Sequence, residues 1–203
     1  MDVTILGAGK IGGTLCRKWA GAGHKVTLGV RDPKTVAAQA FSSNGNSTVT
    51  ITDVAGAVAS GNLIVFAVPY NAVEAVARAN AGALRGKMLV DATNNFSAPV
   101  INNVATLQNE VGDAAIYRAL NSLGYSVFAE PQVAGVAADH FFCGADGVGR
   151  QQVEALIEAT GLRPVWVGGL EQVELVDRLG LLWVQLVFRQ RLGPRLAFKM
   201  LTE

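Results

Sequence analysis

The chain has 203 residues, half of them hydrophobic and 16% charged, with a formal net charge of +1. That length buries a sizeable core, as one domain or as a nucleotide-binding domain with a small appendage, and the composition excludes a disordered chain. The near-neutral charge gives no reason to expect nucleic acid, so a small-molecule partner is the expectation. Cys16 and Cys143 lie far apart without a C-x-x-C pair and read as core residues rather than as metal ligands or a disulfide. The N-terminus enters a strand at Val3 without a leader-like segment, which predicts a cytoplasmic protein. The most apolar stretch, "LGLLWVQLVF" from Leu179 to Phe188, is interrupted by Gln185 and too short to cross a bilayer; it reads as a buried or interface helix.

In chain order, short β-branched runs alternate with Ala-rich segments of helical period, the pattern of βαβ units on a parallel sheet. A strand at Val3–Leu6 precedes a helix over 10–22, and "KVTLGV" forms a second strand. Asp32 and Pro33 supply a cap and a first-turn proline for a helix through Phe41, and the polar turn "SSNGNSTV" leads into a strand near Val49–Thr52. A helix over 53–59 follows, then the wholly apolar strand Asn62–Pro69 and the helical "NAVEAVARANAGAL". "KMLVDAT" and Ala114–Asn121 give two more strands, after which the alternation weakens. "DHFFCGAD", "VGRQQVEALIEATG" and "RPVWVGG" read as strand, helix and strand, with helices over 171–190 and 193–201 closing the chain. The expected fold is α/β, a Rossmann-type doubly wound parallel sheet over residues 1–122 with a small C-terminal α+β domain over 123–203.

Within "ILGAGKIGGTL", Gly7, Gly9 and Gly12 keep the G-x-G-x-x-G spacing directly after a strand and at the start of a helix. Gly7 permits the tight turn, Gly9 lets backbone approach a pyrophosphate and Gly12 lets helix and strand pack closely. Ala8, Lys10 and Ile11 complete the loop, whose helix N-terminus offers N–H groups and a positive dipole end to the anion. The end of the second strand, "GVRDPK", bears on the coenzyme. Asp32 lies 20 residues after Gly12 and is a candidate for NAD ribose hydroxyls, whereas Arg31 and Lys34 suit the 2′-phosphate of NADP. NADP is favoured because Asp32 already has a capping role.

The ordered blocks "LGAGKIGGTL", "GHKVTLGVRDP", "IVFAVPYNAV", "GKMLVDATN" and "LLWVQLVF", with "ALNSLG" from Ala119 and "FFCGAD" from Phe141, resemble the NADPH-dependent reductases of coenzyme F420 and the wider F420-dependent NADP oxidoreductase-like family. The resemblance covers nearly the whole chain. It implies a homodimer that transfers hydride directly between NADP(H) and a deazaflavin, F420, or a flavin acceptor. It also implies that Gly7 to Gly12 hold the pyrophosphate, that Arg31 meets the 2′-phosphate, and that Val68 and Pro69 border the nicotinamide with Asn94, Asn121 and Ser122 from neighbouring loops. Ala8 and Val30 stand where NADP users of the family commonly carry Thr and Ser, and Asp177 and Arg178 replace a common Glu-Pro.

Hydride transfer to a flavin-type ring needs no placed acid, because the receiving nitrogen exchanges its proton with solvent; no catalytic side chain is therefore assigned. Tyr70, straight after Pro69, is a candidate ring-stacking or proton-donating residue. His24 and His140 lack visible carboxylate partners and read as structural or surface residues. The rival readings are a small imine or carbonyl reductase and a non-catalytic NADP-sensing module. An electron acceptor of low molecular weight, and neither nucleic acid nor membrane, is the expected partner.

Overall fold

The computed structural model describes residues 1–35, 40–41 and 48–203. Its sheet begins with β1 (Asp2–Leu6), β2 (Lys25–Val30), β3 (Val49–Asp53), β4 (Leu63–Phe66), β5 (Met88–Asp91) and β6 (Ala115–Arg118). All pair in parallel, in the spatial order β3-β2-β1-β4-β5-β6. This is the doubly wound order, and the chain reverses direction across the sheet between β1 and β4, where such folds bind ligands.

Because successive side chains on a strand point to opposite faces, the apolar runs feed two cores. Ile5, Val65, Val90 and Tyr117 face one side, covered by Leu15 and Trp19 of α1 (Lys10–Gly21) and by Val153, Leu156 and Ile157 of α7 (Val148–Glu158). Leu6, Ile64, Phe66, Leu89 and Ile116 face the other, under α2 (Val54–Ser60), α3 (Val73–Ala79), α4 (Ala81–Leu84) and α5 (Val104–Val111). Trp19 also donates its indole N–H to the Leu156 carbonyl at 2.8 Å, binding the first helix to the last third of the chain.

The segment after residue 122 continues the same sheet. A short α6 (Tyr125–Ala129) leads to the hairpin β7 (Gln132–Val133) and β8 (Val136–Ala137), whose turn residues Ala134 and Gly135 both have positive φ. β9 (Asp139–Gly144) pairs antiparallel with β6, and β10 (Arg163–Trp166) pairs parallel with β9. A 3-10 turn at Leu170–Gln172 introduces α8 (Val173–Val184), which ends in a π-turn over Gln185–Arg189.

One expectation is corrected. Residues 193–201 form no helix but an irregular tail, because sheet and helix groups engage its backbone. Asp139 donates its N–H to Phe198 O at 2.9 Å, Met200 donates its own to the Asp139 carboxylate at 2.7 Å, and Trp183 Nε1 donates to Leu196 O at 2.8 Å. The stretch between β5 and β6 carries α5. Much of the helix expected from Asp32 to Phe41 and of the following polar turn lies outside the described residues; Asp32 itself caps a turn, accepting the Lys34 N–H at 2.9 Å. Cys16 and Cys143 are buried thiols, raised by that burial to about 11 and about 12. Among the described residues no helix is long and apolar enough to cross a membrane.

Candidate functional site

The glycine loop turns between β1 and α1 against the end of β4. Gly7 has φ +105°, and a Cβ on it would stand 2.6 Å from the Ala67 carbonyl oxygen. A Cβ on Gly12 would come within 2.0 Å of Gly7 O, so only glycine allows the helix this close to the loop. Gly9 differs, because a Cβ there meets nothing within 4 Å. As N-cap of α1, Gly9 offers no side-chain acceptor, and no acidic residue occupies the first turn. The leading N–H groups of α1 are therefore left to a ligand at an open face. Ala8 and Ile11 are half-buried against the core, while Gly9 and Lys10 are exposed.

A cavity of about 530 Å³ runs from Gly7 and Ala8 past Val30, Arg31, Asp32 and Thr35, walled by Val54, Val68, Pro69, Ala72 and Val76. Arg31 is exposed there and makes no ion pair among the described residues, whereas Asp32 is committed to its own turn. Lys34, also exposed, follows in that turn and is not part of the cavity wall.

Beyond Val68 and Pro69, the C-terminal ends of β5 and β6 bring Asn94, Asn121 and Ser122 together. Asn94 donates from Nδ2 to Asn121 O at 2.8 Å. Asn121 Oδ1 and Ser122 Oγ are buried and have no hydrogen-bond partner among the described residues. Neither residue caps a helix, since the N-cap of α6 is Gly124. Tyr70 donates its hydroxyl to Val100 O at 3.1 Å, so that proton is held by the loop after β5.

Sequence reasoning passed over the brace beneath these loops. Arg118, fully buried at the end of β6, is the cross-strand neighbour of Asp91 at the end of β5. Its guanidinium donates to Asp177 at 2.7 and 2.8 Å, to Asn94 Oδ1 at 2.6 Å and to the Asp91 and Thr93 carbonyls. Asp91 accepts from the N–H groups of Thr93 and Asn103, and Asp177 accepts from Asn102 Nδ2 at 2.6 Å. One buried cation thus ties the end of β5 and the loop after it to α8. Opposite charges at the ends of two consecutive apolar strands were the signal for it in the sequence.

His140 on β9 is a second anchor. It accepts the Leu120 N–H at Nε2, 2.6 Å away, and Leu120 is held at φ +61°, an unusual conformation for a leucine. Burial, reinforced by the Arg118 charge, pushes the imidazole down to about 3. His140 is therefore a neutral acceptor that shapes the loop carrying Asn121 and Ser122. His24, by contrast, sits at the turn before β2 with Nδ1 3.3 Å from the N-terminal amine.

Known proteins resemble this chain in fold and, over part of its length, in sequence. No curated protein matches the chain. Among solved structures, a candidate F420-dependent NADP reductase of Arthrobacter sp. FB24 superposes with a TM-score of 0.83 at 28% identity, over 100% of both chains. A hypothetical protein of Sinorhizobium meliloti gives 0.71 at 21% identity, over 100% of this chain and 96% of that one. A reductive aminase of Aspergillus terreus shares the fold with a TM-score of 0.63 at 18% identity, over 94% of this chain and 66% of the other. Residues 2–95, from β1 to the loop beyond β5, match the family described as NADP oxidoreductase, coenzyme F420-dependent, so the family resemblance drawn from the ordered sequence blocks holds over that part of the chain.

Proposed function

We propose that the chain is an NADPH-dependent oxidoreductase that moves hydride between NADP(H) and a deazaflavin such as F420, or a flavin. The observation that carries this reading is the uncapped N-terminus of α1 behind the open face of Gly9, next to a cavity lined by Gly7, Ala8 and Arg31, which makes no ion pair among the described residues. Anion donors in the middle and a guanidinium at one end suit a dinucleotide with a 2′-phosphate. The coenzyme, when bound, supplies or accepts the hydride.

The remaining contributions belong to the chain. Gly7 to Gly12 bind the pyrophosphate through backbone N–H groups, with Ala8 and Ile11 as its apolar backing and Lys10 beside it. Arg31 and Lys34 hold the 2′-phosphate. Val68, Pro69 and Tyr70 border the nicotinamide and keep water from its face, while Asn94, Asn121 and Ser122 orient its carboxamide edge. Support for this last role comes from the two buried oxygens of Asn121 and Ser122 that no group among the described residues satisfies. Residues 123–203 form the acceptor side and a homodimer contact through α8, whose Leu175, Leu181 and Leu182, with Phe188 beyond, are exposed. A cytoplasmic location accords with this chemistry.

Anaerobic oxidation of NADPH by the purified protein with F420, flavin mononucleotide or flavin adenine dinucleotide tests the proposal. Turnover with one of these rings is expected. NADPH binding without oxidation by any of the three overturns hydride transfer to this acceptor class.

A further inference from the structure

Lys10 is the first residue of α1, one position past Gly9. A cation there faces the positive end of the helix dipole, which disfavours the helix unless an anion joins it. Among the described residues no carboxylate pairs with Lys10. Its ammonium lies instead over the ring of Tyr125, 5.1 Å from the centroid.

Tyr125 opens α6 and is 45% exposed. Its place is fixed from the C-terminal part of the chain. A Cβ on Gly124 would stand 2.7 Å from the Trp183 ring, so the backbone before Tyr125 packs closely against that indole. The Ser126 hydroxyl donates to Pro194 O at 2.8 Å, and Arg195 donates to the Glu130 carbonyl at 2.8 Å. Helix α8 and the tail therefore hold α6 against the start of α1.

We propose that Tyr125 is a positioning residue for the coenzyme pyrophosphate, its ring holding the Lys10 ammonium at the mouth of the glycine loop. A lysine side chain is otherwise mobile, and ordering it before the anion arrives raises affinity without a new contact. The segment after residue 122 thereby completes a site whose other parts precede it. This inference rests on the coenzyme reading above.

The test is a titration of NADPH, at several salt concentrations, into the wild-type protein, Tyr125→Ala, Tyr125→Phe, Lys10→Ala and the double Lys10→Ala/Tyr125→Ala variant. Tyr125→Ala is expected to weaken binding about threefold, as an exposed cation–π contact allows. Tyr125→Phe keeps wild-type affinity, since the ring and not the hydroxyl acts. In the Lys10→Ala background the loss of Tyr125 adds nothing, and each single alanine variant gives a shallower salt dependence. Wild-type affinity in Tyr125→Ala, a loss in Tyr125→Phe equal to that in Tyr125→Ala, additive losses in the double variant, or an unchanged salt dependence each overturns the role of Tyr125. Failure of the wild-type protein to bind NADPH instead overturns the coenzyme reading and this inference with it.

Discussion

Gly9→Ala separates a glycine kept for a ligand from a glycine kept for the fold. Gly9 has φ −68° and ψ −169°, which alanine adopts freely, and its Cβ would meet nothing within 4 Å. The lost preference for glycine at an N-cap and the reduced entropy of the unfolded chain oppose each other, each below about 1 kcal/mol. For a chain of this size the melting midpoint then moves by no more than about 4 °C. The same methyl occupies the face where a pyrophosphate must reach the N–H groups of α1. A loss of at least about tenfold in NADPH affinity follows, about 1.4 kcal/mol or more. Gly12→Ala has the opposite balance, because its Cβ would sit 2.0 Å from Gly7 O and 3.2 Å from Ala67 Cβ. Backbone on one side cannot yield, so we expect a cost of about 3 kcal/mol and a midpoint lowered by about 6–12 °C. Thermal denaturation combined with a fluorescence titration of NADPH reads both effects. A Gly9→Ala protein that melts and binds NADPH like the wild type refutes the reasoning.

Three further outcomes are expected. Arg31→Ala weakens NADPH about tenfold and changes NADH less than about threefold, as measured by paired titrations; equal losses for both contradict a 2′-phosphate contact. His140 titrates near 3 in the fold against a usual 6.5, so the unfolded chain binds more protons between those values. Its contribution to stability is fully present above about pH 6.5 and is lost as pH falls towards about 3, with His24, also lowered by burial and the N-terminal charge, acting in the same direction. Asp139 joins only below its usual 3.8: burial pushes its carboxyl up, but Arg163, the Met200 N–H and Lys199 outweigh this and hold it at about 2. Urea denaturation of His140→Gln between pH 6 and pH 4 is therefore expected to show a flatter decline than the wild type. Asp177→Ala strips Arg118 of its shortest carboxylate contact and leaves Asn102 Nδ2 without an acceptor. Thermal melting is expected to show a loss of about 3 kcal/mol, and an unchanged midpoint contradicts the bracing role.

Local sequence carried the fold wherever one segment determines its own structure. The β1–loop–α1–β2 unit and the apolar strands β4 to β6 were legible because burial on both faces demands uninterrupted apolar runs. Helix α5 was also marked, by Asn103 before it, Val104, Leu107 and Val111 at helical spacing, and Gly112 after it, but its short length hid it behind a loop-like stretch. The tail misled because its alternation of leucine and basic residues resembles a helix, while Asp139 and Trp183, far away in sequence, compete for its backbone. Nothing local announces that β9 runs antiparallel or that a histidine there fixes Leu120. The glycine loop and Arg31 could be read directly, since their spacing is itself the geometry. The brace of Arg118, Asp91 and Asp177 and the Lys10–Tyr125 contact depend on segments meeting after folding.

The most direct measurement for the central claim is a paired titration of NADPH and NADH into the wild-type protein. The account predicts saturable NADPH binding at micromolar concentration and NADH binding weaker by about tenfold or more. Binding of neither coenzyme, or tighter binding of NADH, would contradict it.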